Sequence, residues 1–357
     1  MALFLLCFEI LFNYIVMLAK WMKMLYSIIG DYMKLEDLEN YRDKNGFIDM
    51  DLAINENKLE IGIELWGSQY RDKFWVFLDD TEVLVRSENL DECAKDYTIY
   101  AELLVEELAK QVGIDCAHYD AMKYNGKSGV ISKNVLDKKK DEGMFDIRSI
   151  SSKKLVPNDL VDIVDIFSAI ENLAKTEDIS KDLAKKAYFD VAKIAIFDTF
   201  TMSNDRHSEN IAIIFGKDQK NGEPIFKVAP IFDNECSLML DLPEEEIDEI
   251  SNGKIDLKNM VDLQEQMITA PEEVKCGDED WKEMLYYLTD DSEELEEFSE
   301  RCYNDLSIED AITSVEGRIN TNLPDKLKDF VTKAFNTRKR SIGKSLMLDD
   351  MEVERWK

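Results

Sequence analysis

Asp205 and Asn210 stand five residues apart in the polar run of TMSNDRHSENIAIIF (201–215), and Asp233 follows one apolar run later in APIFDNE (229–235). A carboxylate beside an attacking hydroxyl, with an amide and a second acid to ligate a metal on phosphate oxygens, is the equipment of phosphoryl transfer. An aspartate and an asparagine at this separation form the base and metal ligand of one known class of phosphotransfer loop. A plainer reading is that Asp205 and Asn210 cap and turn the chain, and that Asp233-Asn234 is a turn. Context bears on the choice, because a polar run between two apolar ones needs a reason to be polar. Two acids at the ends of successive strands would also converge on one mouth.

The elements that must hold these residues can be read from periodicity. From Lys58 to about Leu136 the pattern is strand-rich with one long helix. DKFWVFL (72–78) and TEVLVR (81–86) predict a hairpin turning at Asp79 and Asp80. AHYDAMKY (117–124) and KSGVISKNVL (127–136) flank Asn125-Gly126, a pair that tolerates the positive φ of a type I′ turn. Between the hairpins, Leu104, Leu108 and Val112 recur at helical spacing and Gly113 supplies the stop.

The charged stretch DKKKDEG (137–143) reads as a linker, and mostly helical sequence follows. Leu160, Ile163, Phe167, Ile170 and Ala174 form one apolar stripe, and the next helix, DLAKKAYFDVAKIAIFDTF (182–200), becomes apolar nearly all round, as buried helices do. It runs directly into the polar loop. IAIIF (211–215) and IFKVAPIF (225–232) bracket KDQKNGE as a buried hairpin, and acidic helices with solvated outer faces occupy the chain from about residue 244. The expectation is an α+β, two-lobed layout with a cleft: an apolar segment at 1–32, a sheet-plus-helix lobe at 33–140, and a helical lobe at 141–357.

Composition narrows the partners. With 75 acidic against 44 basic residues the net charge is −31, which repels an extended phosphate backbone and disfavours direct nucleic-acid binding. The basic patch of Arg338, Lys339, Arg340 and Lys344 reads as a solvated helix face. Six cysteines without a CxxC spacing argue against a zinc site or a disulfide scaffold and fit a reducing cytoplasm. The apolar run over residues 1–24, broken by Glu9 and Asn13, lacks the basic lead and cleavage site of a signal peptide. A membrane anchor, a docked amphipathic helix and an upstream extension before a start at Met33 are three readings of it.

The sequence FDTFTMSNDRHSENIAIIF (197–215), followed by APIFDNE, resembles the catalytic core of the HipA-like serine/threonine kinases, in their compact branch. The order GSQYRDKFWVF, EVLVR, YAELLVEELAKQVGI and YNGKSGVIS is similar to that family's smaller lobe, and the similarity covers roughly Leu59 to Leu240. The resemblance implies a kinase-like fold and transfer of a phosphoryl group from ATP, with Mg2+, to serine or threonine of a protein, the chain itself included. It implies Asp205 as catalytic base, Asn210 and Asp233 as metal ligands, and Arg206 and His207 as loop-shaping residues. Gly67, Ser68 and Gln69 resemble the phosphate-covering loop. Glu102 resembles the helix glutamate that pairs with a nucleotide-holding lysine. A toxin–antitoxin setting with a small DNA-binding antitoxin partner is implied as well, DNA being contacted through that partner.

One position departs from the pattern. Where the family places lysine, the chain has Arg86, whose planar fork keeps the charge without replacing a compact ammonium. Lys73 reads either as a substitute cation or as a solvent-facing strand residue. Arg86 motivates an alternative in which the chain is a pseudokinase that binds nucleotide or a partner. The apolar N-terminal segment motivates another, a small-molecule or lipid-head-group kinase tethered to a membrane. Ser68 and Ser132 are the serines placed to be autophosphorylated near the nucleotide.

Overall fold

The computed structural model describes residues 33–64, 72–87, 97–137, 140–156, 159–271, 274 and 280–346. The readings made for residues 1–32 and for Gly67, Ser68 and Gln69 lie outside the described residues.

The first sheet follows from alternation and turn chemistry. A 3-10 helix (Leu35–Tyr41), β1 (Ile48–Asp49) and α1 (Met50–Asn57) precede β2 (Glu60–Glu64), β3 (Lys73–Phe77) and β4 (Glu82–Ser87). The β3–β4 hairpin closes at Asp79–Asp80, with the Leu78 N–H donating to the Thr81 carbonyl at 2.9 Å. Then come α2 (Thr98–Val112), β5 (Tyr119–Tyr124) and β6 (Lys127–Lys133). Asn125 and Gly126 take φ of 51° and 74°, the positive pair that a type I′ turn demands. Among the described residues the strand order is β1-β5-β6-β4-β3-β2. Phe74, Val76, Val83, Val85, Met122 and Ile131 point to one face and pack on Leu38, Met50, Ala53 and Ile54. The opposite face carries Arg86 beside its cross-strand partner Lys73.

α2 is buried along most of its length and stops where Gly113 turns left-handed at φ 75°. It is fastened beyond its own lobe. Glu106 accepts from Arg318 Nη1 at 2.9 Å, and the Gln111 amide exchanges hydrogen bonds of 3.0 and 2.8 Å with the Ser307 backbone.

The second sheet has the order β10-β9-β7. β9 (Ala212–Lys217) and β10 (Pro224–Val228) form the expected hairpin, whereas β7 (Asp141–Asp146) corrects an expectation: the last residues of the presumed linker are a strand on β9. Gly216 makes room for it, since a Cβ there would lie 2.1 Å from the Asp141 carbonyl oxygen. The charges of β7 are tolerable because it is an edge.

Helices build the rest: α3 (Ile147–Ile150), then, after β8 (Val161–Asp162), α4 (Ile163–Thr176) and α5 (Lys181–Thr201). α4 corrects the apolar stripe at one position. Asp162 caps it by accepting the Val164 N–H at 2.8 Å, so Leu160 lies before the helix and is 53% exposed. α6 (Glu244–Ser251), α7 (Leu257–Asp262), β11 (Ile268–Thr269), α8 (Asp280–Thr289), α9 (Glu293–Asp305), α10 (Ile308–Ile319) and α11 (Asp325–Ser345) complete the lobe. Arg338 departs from the solvated face read for its patch. It is 1% exposed, lies 4.9 Å over the Trp281 ring and donates to the Val261 carbonyl at 2.5 Å. Among the described residues no helix is long and apolar enough to cross a membrane.

Candidate active site

α5 delivers the polar loop. Its final turns are buried on all sides, and Met202 ends it in the left-handed region at φ 54°. Arg206, 1% exposed, then stitches the loop to its surroundings. Its Nε contacts Asp198 on α5 at 3.2 Å, Nη1 donates to the Phe232 carbonyl at 2.7 Å, and Nη2 donates to Asn234 Oδ1 at 2.6 Å. One guanidinium thereby ties the helix before the loop to the turn after β10. A buried ion pair with its remaining donors satisfied fixes geometry more than it adds stability.

Within the loop, the Asn210 amide nitrogen donates to the Asp205 carbonyl at 2.8 Å and to its Oδ2 at 3.3 Å. His207 is buried; its Nδ1 accepts the Glu209 N–H at 3.2 Å, and Nε2 lies 3.6 Å from Asp205 Oδ1. Burial pushes the Asp205 carboxyl up to about 6; His207 opposes this, and the charges of Asp233 and Glu235 reinforce it. A carboxyl poised near neutral pH is the range in which a general base works best.

The loop opens on a cleft of about 550 Å³. Asn210, Phe232 and Asp233 line it from one side, and Lys73, Trp75, Leu84, Arg86 and Val130 from the first sheet, with Glu102 and Tyr119 at its back. Lys73 therefore faces the cleft and not bulk solvent alone, and Ser132 also lines it. A hollow of about 560 Å³ on the other face of the sheet, around Lys34, Glu39, His118 and Asp120, contains none of the loop residues.

At the back of the cleft, Arg86 joins three acids. Its Nη2 contacts Glu102, its Nη1 contacts Asp233, and Glu235 lies 3.4 Å from Nη1. Burial works against the Arg86 charge, yet Glu235, Glu102 and Asp233 outweigh it and hold the guanidinium ionised. Glu102 is fully buried, and its Oε2 accepts the Asn234 N–H at 2.9 Å and the Asn234 side-chain amide at 3.2 Å. Asp233 sits at φ 57°, and its N–H donates to the Tyr119 hydroxyl at 3.0 Å. The result is a continuous chain of contacts from Asp198 through Arg206, Asn234 and Glu102 to Arg86 and Asp233.

The structure thus brings Asp205, Arg206, His207, Asn210, Arg86, Glu102 and Asp233 to one place. Sequence reasoning missed Tyr119, Asn234, Glu235 and Asp198. Asp198 had a signal, since an acid in an otherwise apolar helix end requires a buried partner. Tyr119 had none. The carboxylate of Asp233 and the amide oxygen of Asn210 are hard oxygen donors of the kind magnesium takes, and that ion needs only one or two protein ligands beside phosphate and water. Among the described residues no group of three or more histidine, cysteine or acidic side chains gathers as a preformed metal cage.

No family model and no curated protein matches the chain. Solved structures do. The chain is similar to the proinflammatory kinase CtkA of Helicobacter pylori, with a TM-score of 0.55 and 16% identity over 79% of this chain and 95% of that one. It is also similar to a chain of the toxin–antitoxin complex of HipA, HipB and operator DNA from Shewanella oneidensis MR-1, with a TM-score of 0.47 and 13% identity over 79% of this chain and 65% of that one. The α+β fold is protein-kinase-like, with a curled sheet and a mainly helical remainder.

Proposed function

We propose that this kinase-like fold transfers the γ-phosphoryl group of ATP to a serine or threonine hydroxyl of a protein, its own included. One observation carries the reading: Asn210 and Asp233 line a single cleft whose back wall is the Arg86–Glu102 pair, and the Asn210 amide holds Asp205 beside it by hydrogen bonds to its carbonyl and its carboxylate. In this assignment residues 33–140 cover the nucleotide and residues 141–357 supply the loop. Asp205 accepts the proton of the substrate hydroxyl, with His207 beside its carboxylate and Arg206 fixing the loop that carries it. Arg86 orients the phosphates, with Glu102 fixing its fork, and Gly67, Ser68 and Gln69 are assigned to the phosphate-covering loop by resemblance. Asp233 and Asn210 would hold Mg2+, which neutralises charge developing on the transferred group. The acidic body suits a basic protein partner. A small DNA-binding antitoxin partner follows from the sequence resemblance, and a cytoplasmic setting from six cysteines without a disulfide or zinc spacing.

The contact of Arg86 with Asp233 favours a second reading. A guanidinium seated on the metal-binding acid is what a pseudokinase would keep if it bound a nucleotide or a partner without turning over. Radiolabelled ATP with magnesium separates the two. The full chain should incorporate label, and Asp205→Ala and Asp233→Ala should abolish it. Absence of label in the parent, together with magnesium-dependent nucleotide binding, would establish the second reading.

A further inference from the structure

A separate groove of about 220 Å³ lies between α4, α5, α8 and the start of α9 and shares no residue with the cleft. Four aromatic residues line it, Phe167, Tyr188, Phe189 and Tyr287, together with Ala192, Leu288 and Leu295. The Phe167 and Tyr188 rings pack on each other, with centroids 5.4 Å apart at 54°, and form one continuous aromatic wall of the groove. Asp291 lines the lip and is exposed, with no ion pair among the described residues.

Two kinds of observation say what would fill it. The first is size. A space of this volume is below that of a drug-sized pocket and takes a single long side chain. The second is charge. Aromatic faces are negative, and a carboxylate beside them adds to that field, so a guanidinium or ammonium on an apolar stem gains an attraction to the rings and Asp291 beyond the burial that any apolar side chain would gain. Acids press on two of the rings: burial first, and then Glu171, raise the Tyr188 phenol, and burial and Asp162 do the same for Tyr287. Asp290 and Glu293 flank the lip as exposed acids. The chain as a whole, at −31, draws basic surfaces towards it.

We propose that this groove is a docking site for an arginine or lysine side chain of a basic segment in a partner protein, distinct from the phosphoryl-transfer cleft. Docking does not depend on turnover, so the groove can be tested whether or not the chain proves to be a kinase. The probe is a fluorescent peptide with one arginine flanked by glycines and serines, followed by anisotropy, beside the same peptide with citrulline in place of arginine. The full chain should bind the arginine peptide about tenfold more tightly than the citrulline peptide, the scale of a partly desolvated cation–aromatic contact. Asp291→Lys and Tyr287→Ala should each remove that preference. Asp325→Lys reverses another exposed charge, at the start of α11 and outside the groove's lining, and should retain it. Circular dichroism checks the fold of Tyr287→Ala, while Asp291→Lys changes only an exposed side chain. Equal binding of the two peptides would overturn the proposal, as would equal effects of Asp291→Lys and Asp325→Lys. No binding at all, as when the chain's own segment fills the groove, would overturn it too.

Discussion

Replacing Asp205 with asparagine should stop turnover and stabilise the protein, and the two effects should share one pH dependence. The carboxyl is pushed from its ordinary value of 3.8 up to about 6, first by burial and then by Asp233 and Glu235. A raised acid binds its proton more readily folded than unfolded, so its cost to stability grows as pH rises from about 4 to 6 and is full above that. At about 1.4 kcal/mol per unit the shift would be worth roughly 3 kcal/mol. About a third of the carboxylate is open to water, and screening reduces the figure to about 1 kcal/mol. Asp205→Asn keeps the shape and an oxygen for Asn210 while removing the charge. It should raise the melting temperature by about 2 °C at pH 8 and by about half as much at pH 5. On the catalytic side, kcat/KM of the parent should fall about tenfold per unit below pH 6, and the variant should lose a factor of about a hundred or more. Scanning calorimetry and initial rates at both pH values make the comparison. A variant that melts below the parent at pH 8, or a parent rate that stays level down to pH 5, would refute the reasoning.

Arg86→Lys should lower turnover several-fold, because one ammonium cannot span Glu102 and Asp233 as the fork does; a sharp rise in turnover would instead mark arginine as a defect. Arg206→Ala leaves Asp198 buried without its cation and should cost about 3–5 kcal/mol, read as a shift in the urea midpoint; a loss below 1 kcal/mol would show that the pair does not fix the loop. Gly216→Val forces β7 away from β9 and should cost about 1–3 kcal/mol, with faster amide exchange over residues 141–146; unchanged exchange there would contradict it.

Much of this was legible because its causes are local. The two hairpins are announced by Asp79-Asp80 and Asn125-Gly126, the stop of α2 by Gly113, and the burial of α5 by its all-round apolarity. The association of Asp205 with Asn210 came from spacing, and that of Arg86 with Glu102 from the resemblance. What escaped depends on distant partners. Nothing near Asn234 in the chain says that it bridges Arg206 and Glu102, more than a hundred residues away in the latter case. β7 looked like a linker because the space it needs is made by Gly216 on another strand. Arg338 looked solvated because its cover, Trp281, sits on a different helix.

The fastening of α2 has a thermodynamic consequence. Through Glu106, Arg318, Gln111 and Ser307, the helix that packs beneath the first sheet is also part of the helical layer. The main hydrophobic core runs without a break from Leu104 and Tyr119 to Phe200 and Val315. Heat or urea therefore meets one cooperative unit. A scan should show a single endotherm whose calorimetric and van 't Hoff enthalpies agree, and a gene divided at the charged stretch around Lys140 should yield two halves that fold only when co-expressed.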